Sequence, residues 1–149
     1  MNWPDWWFKL ANVKGTGFGP LPTTARQTYW LVLMPMLATF VCQRSYLHLV
    51  HVRHVYPGGY LVHHLFFGVL LVIPAAFLLA FAPAHPVAAR LARVVLGIGT
   101  AMVLDEIVYL VMTGASDQDY VSAVSLSGAL IFMAVGVALL TVIYWLNRE

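Results

Sequence analysis

Three short polar stretches interrupt a largely apolar chain: two contain histidines, and the third contains two carboxylates. Two of these stretches contain five of the six histidines: His48, His51, His54, His63 and His64. The third contains the adjacent pair Asp105 and Glu106. Imidazole and carboxylate are ligands that zinc, iron and manganese accept in proteins. The residue types therefore predict a metal site or a site of acid–base chemistry.

The spacing of these residues predicts that they meet at one level of a helical bundle. On a helix, Arg44, His48 and His51 fall within about 60° of one another, so they form one polar stripe. Asp105 and Glu106 lie about 10 Å before the end of the helix that contains them, at a rise of 1.5 Å per residue. His63 and His64 follow a Pro-Gly-Gly turn and open the next helix. We therefore expect all three stretches to converge.

The composition indicates a membrane protein. Apolar residues make up 61% of the 149 residues and charged residues only 9%, against about 45–50% and 25% in soluble domains. This excludes a soluble enzyme and a disordered regulator. A single cysteine, Cys42, excludes an intrachain disulfide. A net charge of +2 gives no basic surface for nucleic acid.

Charge-poor runs predict the elements that position the polar residues. The predicted fold is an all-α integral membrane protein, an up-down-up-down four-helix transmembrane bundle. Residues 27–149 form its single domain, with spans at about 29–49, 60–81, 88–112 and 120–146. Residues 1–26 are predicted to be a short interfacial helix and a Gly/Pro linker, since Trp3, Trp6, Trp7 and Leu10 share one helical face.

Basic residues predict the orientation of the spans. If the chain crosses the membrane four times, six of the eight Lys and Arg residues lie on the same side of it: Lys9, Lys14, Arg26, Arg90, Arg93 and Arg148. Arg53 falls on the other side, with Arg44 in the adjacent half of the first span. Cytoplasmic loops are enriched in Lys and Arg, so both termini are predicted to be cytoplasmic, in the inner membrane of a bacterium. The histidine-rich turn then faces outward.

The cost of placing charge in a bilayer makes Asp105 and Glu106 the most informative residues. An ionised carboxylate at the centre of a span costs about 3 kcal/mol on insertion scales, and two adjacent carboxylates repel each other. Such residues need a cationic side chain, a metal ion or a proton. Arg44 is the expected counter-ion of one carboxylate, which leaves the other free as a ligand.

The metal hypothesis assigns a role to each polar residue. The candidate ligands are His48, His51, His63, His64, Asp105 and Glu106. Glu106 and Asp105 are also the candidate catalytic residues, with Glu106 as general base or second-metal ligand. The expected metal is divalent, with zinc favoured over iron. The alternative for His51 and His54 is a place in the headgroup region, which is preferred for His54.

Two segments resemble a known group of proteins. The sequences HHLFFG (residues 63–68) and LGIGTAMVLDEIVYLV (residues 96–111) resemble a loosely defined group of small bacterial and archaeal integral membrane proteins. That group has a His-His…Gly motif on one span and a Leu-Asp-Glu sequence on the next. The resemblance covers about a third of the chain and implies an architecture, with His63, His64, Asp105 and Glu106 at the motif positions. It implies no activity.

Three functions of different classes fit these observations. The first is a membrane-embedded, metal-dependent hydrolase that acts on a lipid-like substrate from the outer half of the bilayer. The second is a redox protein that binds iron or haem b between histidines, in which Asp105 and Glu106 have no role. The third is a non-enzymatic ion- or proton-handling protein, or a small accessory subunit whose polar cluster only holds the helices of the bundle together.

The predicted partners follow from the same features. They are the lipid bilayer and, for a hydrolase, its lipid-like substrate. The fourth span has small residues at helical spacing, Ala123 with Ser127 and Ala134 with Ala138. These permit close packing inside the bundle or between subunits of a homo-oligomer. Packing inside the bundle is the simpler explanation.

Overall fold

The structure, a computed structural model, describes residues 23–50, 63–81, 85–114 and 116–148. Within these ranges all regular secondary structure is helical. The helices are α1 (Ala25–Leu49), α2 (His64–Phe81), α3 (Pro86–Met112), α4 (Asp117–Tyr120) and α5 (Ala123–Leu146). The four long helices coincide with the four charge-poor runs of the sequence.

Polar residues at the helix starts explain where these helices begin. Thr24 and Gln27 form a reciprocal capping box at the start of α1, with both hydrogen bonds at 3.2 Å. At the start of α3 the His85 ring accepts from the Ala88 N–H, and Pro86 occupies the first turn. Each cap satisfies an N–H group that has no partner inside its own helix.

The α3 helix is the centre of the molecule, because α1, α2 and α5 all pack against it. It contributes small buried residues along its length, among them Ala89, Ala92 and Ala101. Side chains of α1 and α5 fill the space around Ala101 and form the main apolar core: Leu33, Met36, Phe40, Ala129 and Met133. The small residues of α3 therefore allow three helices to approach one axis.

Two glycines, Gly68 and Gly99, allow a close approach of α2 to α3. A Cβ atom on Gly68 would lie 2.7 Å from the Gly99 carbonyl oxygen, and a Cβ atom on Gly99 would lie 2.7 Å from the Gly68 carbonyl oxygen. No real Cβ atom sits so close to a backbone oxygen. Because Gly68 is one turn after His64, this contact also sets the distance between His64 and α3.

Three helices of the described chain, α2, α3 and α5, are long and apolar enough to cross a membrane. They are compatible with an integral membrane protein, and large apolar side chains such as Phe67, Leu70 and Ile131 point outward. The α1 helix is comparably long but less apolar, because it contains the polar pairs Arg26–Gln27 and Gln43–Arg44. Most of the predicted interfacial segment, residues 1–22, lies outside the described residues.

The start of the last span differs from the sequence prediction. We expected one helix from residue 120, but the chain forms the short helix α4 and turns before α5 begins at Ala123. Ser122 caps α5, and its hydroxyl also donates to the Asp119 carbonyl oxygen at 2.6 Å. A serine that bonds local backbone groups favours a cap over a continuous helix. The turn brings Tyr120 back toward α3.

Candidate functional site

The first part of the site is a buried ion pair between α1 and α3. Arg44 has 6% of its surface exposed and Asp105 has none. The Arg44 Nε atom donates to Asp105 Oδ1 at 2.5 Å, and Nη2 donates to the Asp105 carbonyl oxygen at 3.1 Å. Hydrogen bonds between ionised groups are shorter and stronger than those between neutral groups. Of the two carboxylates that the sequence offered as partners of Arg44, the structure places Asp105 next to it.

Other N–H groups of Arg44 bind the beginning of α5 and the turn before it. Nη1 donates to the Tyr120 carbonyl oxygen at 3.0 Å, and Nη2 donates to the Ser125 hydroxyl oxygen at 3.2 Å. The guanidinium carbon also lies 4.3 Å from the centre of the Tyr120 ring, within the range of a cation–π contact. One arginine side chain therefore joins α1, α3, α4 and α5.

Tyr120 completes the surroundings of Asp105. Its hydroxyl donates to Asp105 Oδ2. Burial raises the pKa of the Tyr120 phenol well above its usual value, and the charge of Asp105 raises it further, so the phenol stays protonated as a donor. Ser116 and Asp119 fix α4 by a reciprocal capping box. The hydrogen bonds from Ser116 lower the pKa of the Asp119 carboxyl.

The second part of the site joins Glu106 to the first residues of α2. Glu106 Oε1 lies 3.0 Å from the His63 Nδ1 atom, and Oε2 accepts the backbone N–H of Leu65 at 2.5 Å. The carboxylate is almost completely buried. The first N–H groups of a helix have no intrahelical partner. Glu106 therefore acts as an N-terminal cap for α2 from a neighbouring helix.

His64 lies between the two carboxylates. Its Nε2 atom is 3.1 Å from Asp105 Oδ2, and its Nδ1 atom is 3.2 Å from Glu106 Oε1. A neutral imidazole has one N–H group, whereas an imidazolium has two. The Nε2 contact with Asp105 is a hydrogen bond, and the Nδ1 contact with Glu106 lies within ion-pair distance for a ring that has both protons.

These residues form one connected group, which we call the acidic–histidine cluster: Arg44, His63, His64, Asp105, Glu106 and Tyr120. Its fixed charges are the two carboxylates and the single guanidinium of Arg44. With both carboxylates ionised and both imidazoles neutral, the described members of the cluster have one uncompensated negative charge. A buried charge without a partner is strongly unfavourable, so one proton or one further cation is needed to balance the described residues.

One of the histidines predicted to share this site, His48, does not join it. His48 is exposed, and its Nδ1 atom lies 2.8 Å from the Arg44 carbonyl oxygen of its own helix. It is at the end of α1, one turn beyond Arg44, so its short side chain contacts its own backbone instead of α3. His51 and His54 lie outside the described residues. Their assignment stays a prediction.

Among the described residues, no group of three or more His, Cys, Asp or Glu side chains is arranged to hold a metal ion. The carboxylates are occupied by protein donors instead. Asp105 receives Arg44 on one oxygen and Tyr120 on the other, with His64 close to the second. Both oxygens of Glu106 also have a donor nearby.

Sequence reasoning missed two members of the site and misjudged a third. Tyr120 and Ser125 were not expected here, because the predicted continuous fourth span gave no turn to bring them to Arg44. From the sequence, Tyr109 is either an interfacial aromatic, which is the preferred interpretation, or a proton donor; in the structure it is buried, and its ring lies 5.2 Å from that of Tyr120. Its spacing of four residues from Asp105 was the available signal, since such pairs share a helix face.

Fold and site together define a class: a small helical protein with three membrane-compatible helices and a buried cluster of ion-paired residues at one end. Comparison with models of protein families, with curated proteins and with solved structures finds no match for this chain. The resemblance through residues 63–68 and 96–111 therefore stays a prediction.

Proposed function

We propose that the chain is an integral membrane protein with four spans, formed by α1, α2, α3 and α5. Length supports α1 as the additional span: at 1.5 Å per residue its 25 residues extend about 37 Å, more than the hydrocarbon thickness. Its polar residue Arg44 points into the protein and is paired with Asp105, so lipid does not meet this charge. The asymmetry of basic residues supports cytoplasmic termini in a bacterial inner membrane.

A topology experiment tests this orientation. A reporter fused after Glu149 should give a cytoplasmic signal, because α5 returns the chain to the side where α1 begins. The same reporter inserted in the predicted turn at residues 57–59 is the matched control and should give a periplasmic signal. The same reporter placed before Met1 separates four spans from three. With four spans both ends of the chain give a cytoplasmic signal, whereas with α1 outside the membrane the two ends lie on opposite sides.

We further propose that this is a proton-handling membrane protein, in which the acidic–histidine cluster binds and releases one proton. The observation that supports this is the unequal charge of the cluster, with two buried carboxylates against one arginine. A proton on His63 or His64 supplies the missing positive charge without any other ligand. His64 is the better position, because its two ring nitrogens each face a carboxylate oxygen.

The exposure of the cluster supports proton exchange with the surroundings. The His63 and His64 side chains are 14% and 19% exposed, whereas the Asp105 and Glu106 side chains are 0% and 3% exposed. The imidazoles therefore lie between the buried carboxylates and the outside. Histidine changes charge near neutral pH and is suited to this position. The Arg44–Asp105 pair has the complementary role of holding the helices around the exchanging groups.

We expect one imidazolium in the cluster of the wild-type protein near neutral pH and none after Glu106→Gln. Removing the Glu106 charge leaves Asp105 balanced by Arg44, so neither imidazole needs a proton. Histidine side-chain ¹⁵N NMR on detergent-solubilised protein distinguishes imidazolium from the neutral tautomers. Variants His63→Asn and His64→Asn assign the two signals. The control is His48→Gln, a histidine outside the cluster, which should leave the cluster signals unchanged.

Two results would contradict the proton proposal. One is a neutral His63 and a neutral His64 in the wild-type protein. The other is stoichiometric zinc, measured by elemental analysis of the same sample, that is lost in Glu106→Gln. Zinc would support the metal-dependent hydrolase of lipid-like substrates, and a Soret band would support the haem alternative. Both alternatives stay predictions, and the saturation of the carboxylates by protein donors favours the proton.

A further inference from the structure

A cavity of about 660 Å³ lies at the other end of the molecule, between the beginnings of α1 and α3. Arginines from both helices line it, Arg26 from α1 and Arg90 from α3. Thr23 and Thr24 contribute hydroxyl groups, while Trp30 and Leu31 form an apolar wall. The cavity thus combines positive charge with an apolar flank.

The arginines of this cavity have no carboxylate partner among the described residues. Arg26 and Arg90 form no ion pair with any residue in the described ranges. One turn after Arg90, the Nη1 atom of Arg93 is buried and has no hydrogen-bond partner in that part of the chain. The described acidic residues all lie near or beyond the far end of α3: Asp105, Glu106, Asp117 and Asp119. Arg26 and Arg90 are therefore available to an anion from outside the described residues.

The helix directions increase the positive potential of the cavity. The α1 and α3 helices both begin at this end, because the chain crosses the molecule once, through α2, between them. The N-terminus of a helix has the positive end of the helix dipole and unpaired N–H groups. At the cavity the dipole of α1 adds to two arginines without ion-pair partners among the described residues, a combination that favours a phosphate group, although Thr24 and Gln27 already cap the first N–H groups of α1.

We propose that this cavity binds the phosphate group of an anionic phospholipid. Arg26 and Arg90 hold the phosphate, and Trp30 and Leu31 contact the glycerol and the first acyl carbons. Arg90 is about 6 Å along α3 from its beginning, a depth at which arginine reaches the headgroup region of a bilayer. Basic pockets between helices on the cytoplasmic side are suited to anionic lipid headgroups. Free phosphate shares this chemistry but does not need the apolar wall.

Titration of the detergent-purified chain with phosphatidylglycerol, followed by native mass spectrometry, tests the proposal. The double variant Arg26→Gln/Arg90→Gln should raise the apparent Kd for phosphatidylglycerol about tenfold or more. Arg148→Gln is the matched control, because it removes an arginine that follows α5 and lies over the Trp145 ring, outside the cavity. It should leave the Kd unchanged. Thermal unfolding of all three proteins verifies that the variants fold.

Inorganic phosphate and phosphatidylcholine identify the source of the bound group. Failure of inorganic phosphate to displace phosphatidylglycerol, with weak binding of phosphatidylcholine, supports the anionic lipid. Displacement by inorganic phosphate at equal concentration supports the same site with free phosphate as its ligand. An unchanged Kd in the folded double variant overturns the proposal. So does an equal loss in Arg148→Gln, since the effect would then come from net charge alone.

Discussion

We expect Arg44→Gln to lower the free energy of unfolding by about 3–5 kcal/mol, the cost of removing one partner from a buried ion pair. The substitution leaves Asp105 without its cation beside a second carboxylate, Glu106. It also removes the donors that reach Tyr120 and Ser125. Unfolding of the detergent-solubilised protein, measured by circular dichroism against heat or denaturant, gives the difference from the wild type.

A second substitution shows whether the loss of stability in Arg44→Gln comes from the unpaired charge or from the changed side-chain packing. Adding Asp105→Asn to Arg44→Gln removes the unpaired carboxylate and should recover much of the lost stability, because neutral groups are cheaper to bury than one charge. His48→Gln, one turn away on the exposed side of α1, is the matched control and should change little. Stability of Arg44→Gln equal to that of the wild type would show that the ion pair does not hold the helices together.

The second large effect is expected from Gly99→Ala, which should lower the free energy of unfolding by about 1–3 kcal/mol, a typical cost of overpacking. The added Cβ atom would lie 2.7 Å from the Gly68 carbonyl oxygen, so α2 and α3 must separate. Because His64 precedes Gly68 by one turn, its contacts with Asp105 and Glu106 should lengthen too. Histidine ¹⁵N NMR should therefore report a changed environment for His64.

Gly136→Ala is the matched control for the glycine contact. Its Cβ atom would meet the Cδ1 atom of Leu104 at 2.8 Å, and a flexible side-chain end can move away. We expect a clearly smaller loss of stability and unchanged His64 signals. Equal losses in the two variants would mean that close approach of the α2 and α3 backbones does not position the cluster.

The amino-acid sequence by itself determined that the protein is helical, and it predicted a carboxylate partner for Arg44. Charge-poor runs between Pro and Gly turns predict the four long helices, because the run lengths match helices that span a bilayer. The same reasoning predicts that Arg44 pairs with Asp105 or Glu106, since a charge on an apolar helix needs an oppositely charged partner. The Pro-Gly-Gly sequence at residues 57–59 predicts a turn, and this prediction puts His63 and His64 near the same level.

Only the tertiary structure decided which groups the cluster contains and what each one binds. Helical periodicity places Arg44 and His48 on one stripe, yet the long arginine side chain reaches Asp105 while the shorter His48 side chain contacts its own helix. Tyr120 reaches the cluster because Ser116 and Ser122 cap two separate helices and the chain turns between them. Hydropathy does not predict this turn, because it depends on local hydrogen bonds from the serine side chains. The position of His64 between two carboxylates likewise depends on the approach of α2 to α3 at Gly68, because an interhelical distance is set by packing and not by the pattern along either helix.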